Sequence, residues 1–242
     1  MIKKMRRVKI NLKNIKDKII VVIPAYNEEK SIGIVIDGLK KEGYKNIIVI
    51  DDGSKDKTFE IARSKDVYVF RHKLNRGLGG ALGTAIEAAN KMNAEIVVTF
   101  DADGQHIPTD VMRMAAPILK GEADAVIGSR LLDKNLVKGM PLVRRIGNFG
   151  FNLITFLLFG VKTTDSQSGL RAFSKKAARL IKIKTNRMEV SSEFIKEIGA
   201  HNLKLKEIAI KPVYTSYSLK KGQTNLNALK ILAKLILKKL MR

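Results

Sequence analysis

From Lys18 onward, short runs of apolar and mostly β-branched residues alternate with longer segments of helical pattern, the mark of an α/β fold built on a largely parallel sheet. Strands are expected at Ile19 to Ile23, Ile47 to Ile50, Val67 to Phe70, Ile96 to Phe100 and Ala125 to Gly128. Between them, helices are expected at about residues 29–42, 56–64 and 79–93. In open sheets of this kind ligands sit beyond the carboxyl ends of the strands, so the residues that follow each strand carry the chemistry.

Three of those strand ends are acidic or aromatic. The first runs into Pro24-Ala25-Tyr26-Asn27-Glu28-Glu29, the second into Asp51-Asp52-Gly53-Ser54, and the fourth into Asp101-Ala102-Asp103-Gly104-Gln105-His106. The carboxylates of Asp101 and Asp103, one residue apart after a buried-looking strand, suit a hard divalent cation such as Mg²⁺ or Mn²⁺, whose shell a substrate diphosphate would complete. Asp and Gly also build ordinary turns, and the run taken alone reads equally well as a loop. Gathering acidic groups from three strand ends tips the balance toward a site, because they repel one another without a cation or ligand donors.

The segment Asn75-Arg76-Gly77-Leu78-Gly79-Gly80-Ala81-Leu82-Gly83 fails as a dinucleotide fingerprint: the third glycine falls on Leu82, and the segment follows the third strand rather than the first. Its glycines are expected to let a helix start pack tightly against the sheet, with its amino terminus facing an anion. Farther on, Ile146 to Val161 carries no charge and is flanked by Arg144-Arg145 and Lys162. It is short for a bilayer span and reads either as a helix lying in a membrane interface or as a core helix. Asn225 to Arg242 carries Leu229, Leu232, Ile236 and Leu240 at helical spacing beside Lys230, Lys234 and Lys238. This basic amphipathic helix suits an anionic membrane or a partner, or docks on its own domain with its lysines in water.

Composition narrows the picture. The 242 residues hold 46 Lys and Arg against 23 Asp and Glu, a formal charge of +23 concentrated in residues 3–18 and 204–242. That excess favours a polyanion, namely nucleic acid, an anionic membrane or a phosphorylated substrate, although a Lys-rich solvated surface has the same composition. There is no cysteine, and His72, His106 and His201 are scattered, which argues against disulfides, thiolate sites and histidine-based zinc. No apolar stretch reaches the length of a spanning helix and the first residues do not resemble a secretory signal, so a cytoplasmic protein is expected. The reading divides the chain into a basic tail (1–17), a catalytic domain (18–217), and a loop with the basic helix (218–242).

Together, Pro24-Ala25-Tyr26-Asn27-Glu28, Asp51-Asp52-Gly53-Ser54 and Asp101-Ala102-Asp103-Gly104-Gln105-His106, in this order and at strand ends, resemble family 2 glycosyltransferases of the GT-A, Rossmann-like fold, within the dolichol-phosphate mannose and glucose synthase branch. The resemblance spans about residues 18–225. It implies that Pro24, Tyr26 and Glu28 hold the nucleotide base and ribose, with Ile50 and Asp52 completing that pocket. It implies that Asp101 and Ala102 lie against the nucleotide, and that Asp103 with Gln105 holds the metal. Arg130 matches an arginine between donor and acceptor phosphates, where a guanidinium fork suits two anions brought together. Arg144 or Arg145 would bind the phosphate of the lipid acceptor. Each of these arginines could instead make a surface salt bridge.

The segment Asp165 to Phe173 resembles one that in the family closes the acceptor side, and Glu189 to Glu193 resembles the acidic helix that follows it. The chain departs from the family at Leu219 and Asn225, where relatives place an arginine and a lysine on a loop over the diphosphate; Lys220 or Lys221 would substitute. The implied activity is a metal-dependent, inverting transfer of a hexose or N-acetylhexosamine from GDP-mannose, UDP-glucose or UDP-GlcNAc to dolichyl or another polyprenyl phosphate, at the cytoplasmic face of the membrane. A phosphate acceptor is largely ionised near neutral pH and needs no base; His106, beside the metal motif, is expected to be a supporting residue. A saccharide hydroxyl as acceptor is the nearest alternative and would require a carboxylate base. A basic nucleic-acid-binding protein would leave the acidic strand ends unexplained and lacks interleaved aromatics.

Overall fold

The computed structural model describes residues 15–133, 137, 140, 142–211 and 213, with backbone alone at 142–144. The closing loop, the basic helix at 218–242, Lys220, Lys221 and most of the basic tail lie outside the described residues, as does the side chain of Arg144.

The elements in chain order are β1 (Ile19–Ala25), α1 (Ile32–Lys41), β2 (Ile47–Asp51), α2 (Thr58–Arg63), β3 (Tyr68–Arg71), α3 (Leu78–Lys91), β4 (Ile96–Thr99) and α4 (Asp110–Leu119). They continue with β5 (Ala125–Ser129), α5 (Leu142–Phe159), β6 (Arg171–Ser174), α6 (Lys175–Leu180), α7 (Val190–Ala200) and β7 (Leu205–Ala209). The five strands expected from the apolar runs fall within two residues of their places. The seven strands form one sheet in the order β3-β2-β1-β4-β6-β5-β7. Only β6 runs against its neighbours, pairing antiparallel with both β4 and β5.

The sheet is buried on both faces, which is why its inner strands read as unbroken apolar runs. Ile19, Val21 and Ile23 of β1 pack with Ile32, Ile36 and Leu39 of α1 and with Val111 and Met114 of α4. Ile20 and Val22 face the other way, onto Leu82, Ala85 and Ile86 of α3 and Phe194 and Ile198 of α7. Fully burying one such side chain contributes about 1.5–3 kcal/mol, so slipping a strand by one residue would exchange two complete sets of contacts.

Register then fixes the working edge. Ala25 pairs with Asp51 and Val22 with Thr99, which sets the segments after β1, β2 and β4 side by side. The chain runs outward from β1 to β3 and returns to β4, so the order reverses between β1 and β4, the switch point where open α/β sheets bind ligands. Because β6 is antiparallel and pairs Arg171 with Thr99, the loop before it arrives at the same edge.

The uncharged segment after Arg145 forms most of α5, and it is neither a core helix nor fully exposed. Phe151 and Thr155 are buried, whereas Ile146, Phe149 and Leu157 are 64%, 69% and 66% exposed. Leu153 and Phe156 join them at helical spacing, making an apolar stripe along the outer face.

Candidate active site

Backbone geometry after β1 and β2 fastens two loops together. Asn27 adopts a left-handed conformation (φ 54°). Its N–H donates to Ser54 Oγ (3.0 Å), and its side-chain oxygen accepts from Lys55 N (2.9 Å). Gly53 is also left-handed, and a Cβ there would press on the backbone of Leu74 and Asn75, so the turn after β2 requires glycine. Asp51, fully buried, accepts from Ser54 N (3.1 Å), while Arg71 Nε stands 3.0 Å from its other oxygen. Asp52 is equally committed to the protein. Its Oδ1 accepts from His72 Nδ1 (2.7 Å) and Arg76 N (2.9 Å), and its Oδ2 accepts from Gly77 N (2.7 Å).

After β4, Asp101 turns to His106, whose Nε2 lies 2.9 Å from Asp101 Oδ2 and whose ring stands edge-on to Phe100. Burial alone would push the Asp101 carboxyl up, but the charge and hydrogen bond of His106, with the charges of Arg171 and Arg130, hold it below the ordinary carboxylate range. Asp103 goes the other way: burial, then the negative charge of Asp101, raises it, against donors from Gln105 N (3.0 Å) and the Gln105 amide. Two close carboxylates, one held below the ordinary range and one raised by burial and by its neighbour's charge, make an all-oxygen set that a divalent cation would relieve. The residues present therefore fit Mg²⁺ or Mn²⁺. Gln105 donates its amide to Asp103, so its carbonyl oxygen is the atom left for an ion.

The loop before β6 closes the other side. Thr99 Oγ1 donates to Gly169 O (2.6 Å) and accepts from Arg171 N (3.1 Å), drawing Gly169 onto Asp101. A Cβ at 169 would overlap the Asp101 carboxylate. Gly169→Ala is therefore expected to displace Asp101, weaken Mn²⁺ binding by about tenfold or more and cost about 1–3 kcal/mol in stability. Calorimetric titration with Mn²⁺ beside a melting curve checks it; unchanged metal affinity would refute the contact.

Arg171 is fully buried with its guanidinium 4.8 Å above the Phe194 ring. One Nη donates to Ser166 O (3.2 Å), and Nε has no partner among the described residues. Burial pushes its pKa down to about 10, opposed by Asp101 and Asp165. Asp165, also fully buried, takes three donors from one residue: Arg130 N (3.0 Å), Nε (2.7 Å) and Nη2 (2.8 Å). The loop is held from behind by Glu207 Oε1, which accepts from Thr163 Oγ1, Thr164 N and Thr164 Oγ1 (2.8–2.9 Å), and by Asn152 of α5, which accepts from Ser166 N (2.9 Å).

A cleft of about 380 Å³ lies between these pieces. Of the residues expected from sequence, Pro24, Tyr26, Glu28, Asp52, Asp101, Ala102 and Asp103 line it. Ile50 does not: it is fully buried in β2 and faces α3, behind the cleft. Gln105 and Arg130 stand beside the lining, turned to Asp103 and Asp165. Arg145 is exposed on α5. Arg171, Gln167, Gly77 and Ser191, which the sequence reading named only within longer segments and not as site residues, also belong to the cleft wall. The glycines of the α3 start serve a different neighbour than expected. A Cβ on Gly77 or Gly79 would overlap the backbone of Thr185 and Asn186, so they admit this loop rather than the sheet. Buried Glu193 orders the loop by accepting from Lys184 N (3.2 Å) and Thr185 N (2.9 Å).

Residues 20–181 match the family model described as Glycosyl transferase family 2. The chain is 58% identical over 227 residues to an uncharacterized protein of Methanocaldococcus jannaschii, covering 93% of each. It is 40% identical over 244 residues to the UDP-N-acetylglucosamine–dolichyl-phosphate N-acetylglucosaminyltransferase of Methanococcus voltae, covering 93% of this chain and 97% of that one. Among solved structures, glucosyl-3-phosphoglycerate synthase of Mycobacterium tuberculosis with Mn²⁺, UDP and glucosyl-3-phosphoglycerate superposes with a TM-score of 0.67 at 20% identity, covering 95% of this chain and 81% of that one; the likeness is one of fold.

Proposed function

The chain belongs to glycosyl transferase family 2, and from that premise we propose that it moves a hexose or N-acetylhexosamine from a nucleoside diphosphate sugar to dolichyl or another polyprenyl phosphate, with inversion. One observation carries the reading. At a single strand edge Asp101 packs against Gly169 within the field of the buried Arg171 and of Arg130, and Asp103 stands beside it, an arrangement that supports a metal–diphosphate seat next to cationic side chains. The relative from Methanococcus voltae, whose name specifies a dolichyl-phosphate acceptor, supports it.

Asp103 and the Gln105 carbonyl, with Asp101 beside them, would hold Mg²⁺ or Mn²⁺. The cation's contribution is to neutralise charge on the leaving nucleoside diphosphate. Tyr26, Pro24, Glu28 and Ala102 would enclose the nucleoside, and Lys220 would close over the diphosphate. Asp165 holds the Arg130 guanidinium in one orientation, aligning it for the acceptor phosphate, with Arg144 or Arg145 binding that phosphate farther out. Acidic side chains lining the cleft already have partners: Asp52 in the loop after β3, Glu28 in Ser31, Asp101 in His106. That favours an acceptor needing no base, a phosphate over a saccharide hydroxyl.

The apolar stripe of α5 beside Arg145, on a chain of net charge +23, supports peripheral attachment to the anionic inner face of the membrane. No helix among the described residues is long and apolar enough to cross one. Charging the stripe (Phe149→Asp with Leu157→Asp) is expected to weaken cosedimentation with anionic vesicles by about tenfold or more while leaving UDP and GDP binding intact. Undiminished vesicle binding would remove α5 from the interface. The activity itself is tested by incubating the protein with Mn²⁺, dolichyl phosphate and UDP-GlcNAc, UDP-glucose or GDP-mannose. Labelled sugar should enter the organic phase with one of them and stop on chelation. No transfer from any donor to the lipid would overturn the proposal.

A further inference from the structure

Asn152 stands on the inner side of α5 with the buried Phe151 and Thr155, and it grips the loop before β6 with both ends of its amide. Its Nδ2 donates to Thr164 O, and its Oδ1 accepts from Ser166 N (2.9 Å). A side-chain amide carries both a donor and an acceptor, so here it takes the place of a neighbouring strand. The residue it brackets is Asp165, whose carboxylate receives three hydrogen bonds from Arg130. The orientation of Arg130 therefore depends on where α5 lies. That helix is held from one side: it packs on α7, while Ile146, Phe149, Leu153, Phe156 and Leu157 are exposed. Gly147 and Gly150 weaken it further, because each glycine lowers the helix equilibrium about fivefold relative to alanine, and a Cβ at either position would meet open space.

We propose that Asn152 is a positioning residue through which an anionic lipid surface, by ordering α5, sets Arg130 in its working orientation, so that membrane contact raises turnover itself besides bringing the lipid acceptor near. A ligand shifts an equilibrium only by binding one state better than the other. The stripe lies on one face only when residues 146–157 are helical, so a lipid surface binds the ordered helix and favours it. The same state carries Asn152 to Thr164 and Ser166. Glu207, the other support of the loop, belongs to β7 in the sheet and takes no part in the change. Arg145 beside the stripe and the net charge of +23 suit an anionic surface, whereas a second copy of this chain would bring the same charge. The inference rests on the lipid-phosphate reading above and adds regulation to that site.

The test follows hydrogen exchange in the peptide covering residues 160–171, which holds the Ser166 N–H, with and without vesicles of phosphatidylglycerol and phosphatidylcholine free of polyprenyl phosphate. Alongside it, kcat is measured on a ten-carbon prenyl phosphate at saturation, where enrichment of the acceptor on the vesicle no longer counts. On binding vesicles the parent's exchange should slow, and its kcat rise, by about fivefold, with UDP and GDP affinity unmoved. Asn152→Ala should bind the vesicles as the parent does, exchange fast in both conditions, and lose about tenfold in kcat with no stimulation. Asn152→Asp keeps the acceptor for Ser166 N and loses the donor to Thr164 O; it should fall between the two, and is read alone if Asn152→Ala does not melt cooperatively. Gly147→Ala with Gly150→Ala should slow exchange without vesicles and leave about twofold or less for them to add. Vesicle binding that leaves the parent's exchange and kcat unmoved, or stimulation of Asn152→Ala equal to the parent's, overturns this inference alone. Absence of vesicle binding overturns it together with the peripheral attachment. No transfer from any nucleotide sugar overturns the lipid-phosphate reading, while the exchange still decides the coupling.

Discussion

Asp103→Ala is expected to abolish transfer, lowering turnover by about 10²- to 10³-fold or more, while the protein melts where the parent does or slightly above. The two halves of this expectation have one cause. Asp103 is partly buried beside Asp101, and both burial and that neighbour's charge raise its pKa, so the ionised carboxylate is a local cost to the fold. Its hydrogen-bond partners are Gln105 N and the Gln105 amide in its own loop, and nothing in the core depends on it. Removing it relieves repulsion at Asp101 and, on the proposed reading, takes away a carboxylate oxygen that would hold the cation. Asp103→Asn should behave alike, since an amide restores shape without charge. A Mn²⁺ titration, a transfer assay and a melting curve on the same preparation check this; a third or more of parental activity would defeat the assignment.

Asp165→Ala is expected to be the most damaging single change to stability. It strips three hydrogen bonds from Arg130, whose side chain is 20% exposed, and removes a counter-charge from Arg171, which is fully buried. Breaking a buried pair from one side costs about 3–5 kcal/mol, and here the charge left buried without its counter-charge is that of Arg171. In a domain of this size that is a fall of roughly 6–20 °C in melting temperature. Transfer should drop by about 100-fold even well below the melting point, as the Arg130 fork loses its orientation. Arg130→Met combined with Asp165→Ala should recover part of the lost stability, since no orphaned guanidinium remains at 130. Full additivity of the two losses would show that the side chains act independently.

How much of this was legible in the sequence depended on whether a feature was local. β1, β2 and β4 were legible because both sheet faces are buried, which writes them as apolar runs closed by turn residues. β6 was not: it has four residues and opens on Arg171, a charged side chain that is buried because Asp101, Asp165 and Phe194 surround it. β7 alternates Leu205-Lys206-Glu207-Ile208-Ala209 at the sheet edge, a pattern loops share. In the site, the motif carboxylates came through because the fold delivers strand ends to one edge. The pairings that organise them did not: Asp52 with His72 spans 20 residues and Arg130 with Asp165 spans 35, and no spacing rule connects such positions. The glycine segment shows both limits. Its spacing ruled out a dinucleotide loop, yet the neighbour those glycines accommodate, Thr185-Asn186, lies a hundred residues away and had no local signature.

The central claim is that the sugar passes to a phosphate oxygen, and one side-by-side measurement addresses it. Dolichyl phosphate and dolichol are offered separately to the protein with Mn²⁺ and its preferred nucleotide sugar, and the lipid products are weighed by mass spectrometry. The account predicts a dolichyl-phosphate sugar, one sugar residue heavier than the acceptor, and no product from dolichol. A glycosylated dolichol, with the phosphate left unmodified, would contradict it.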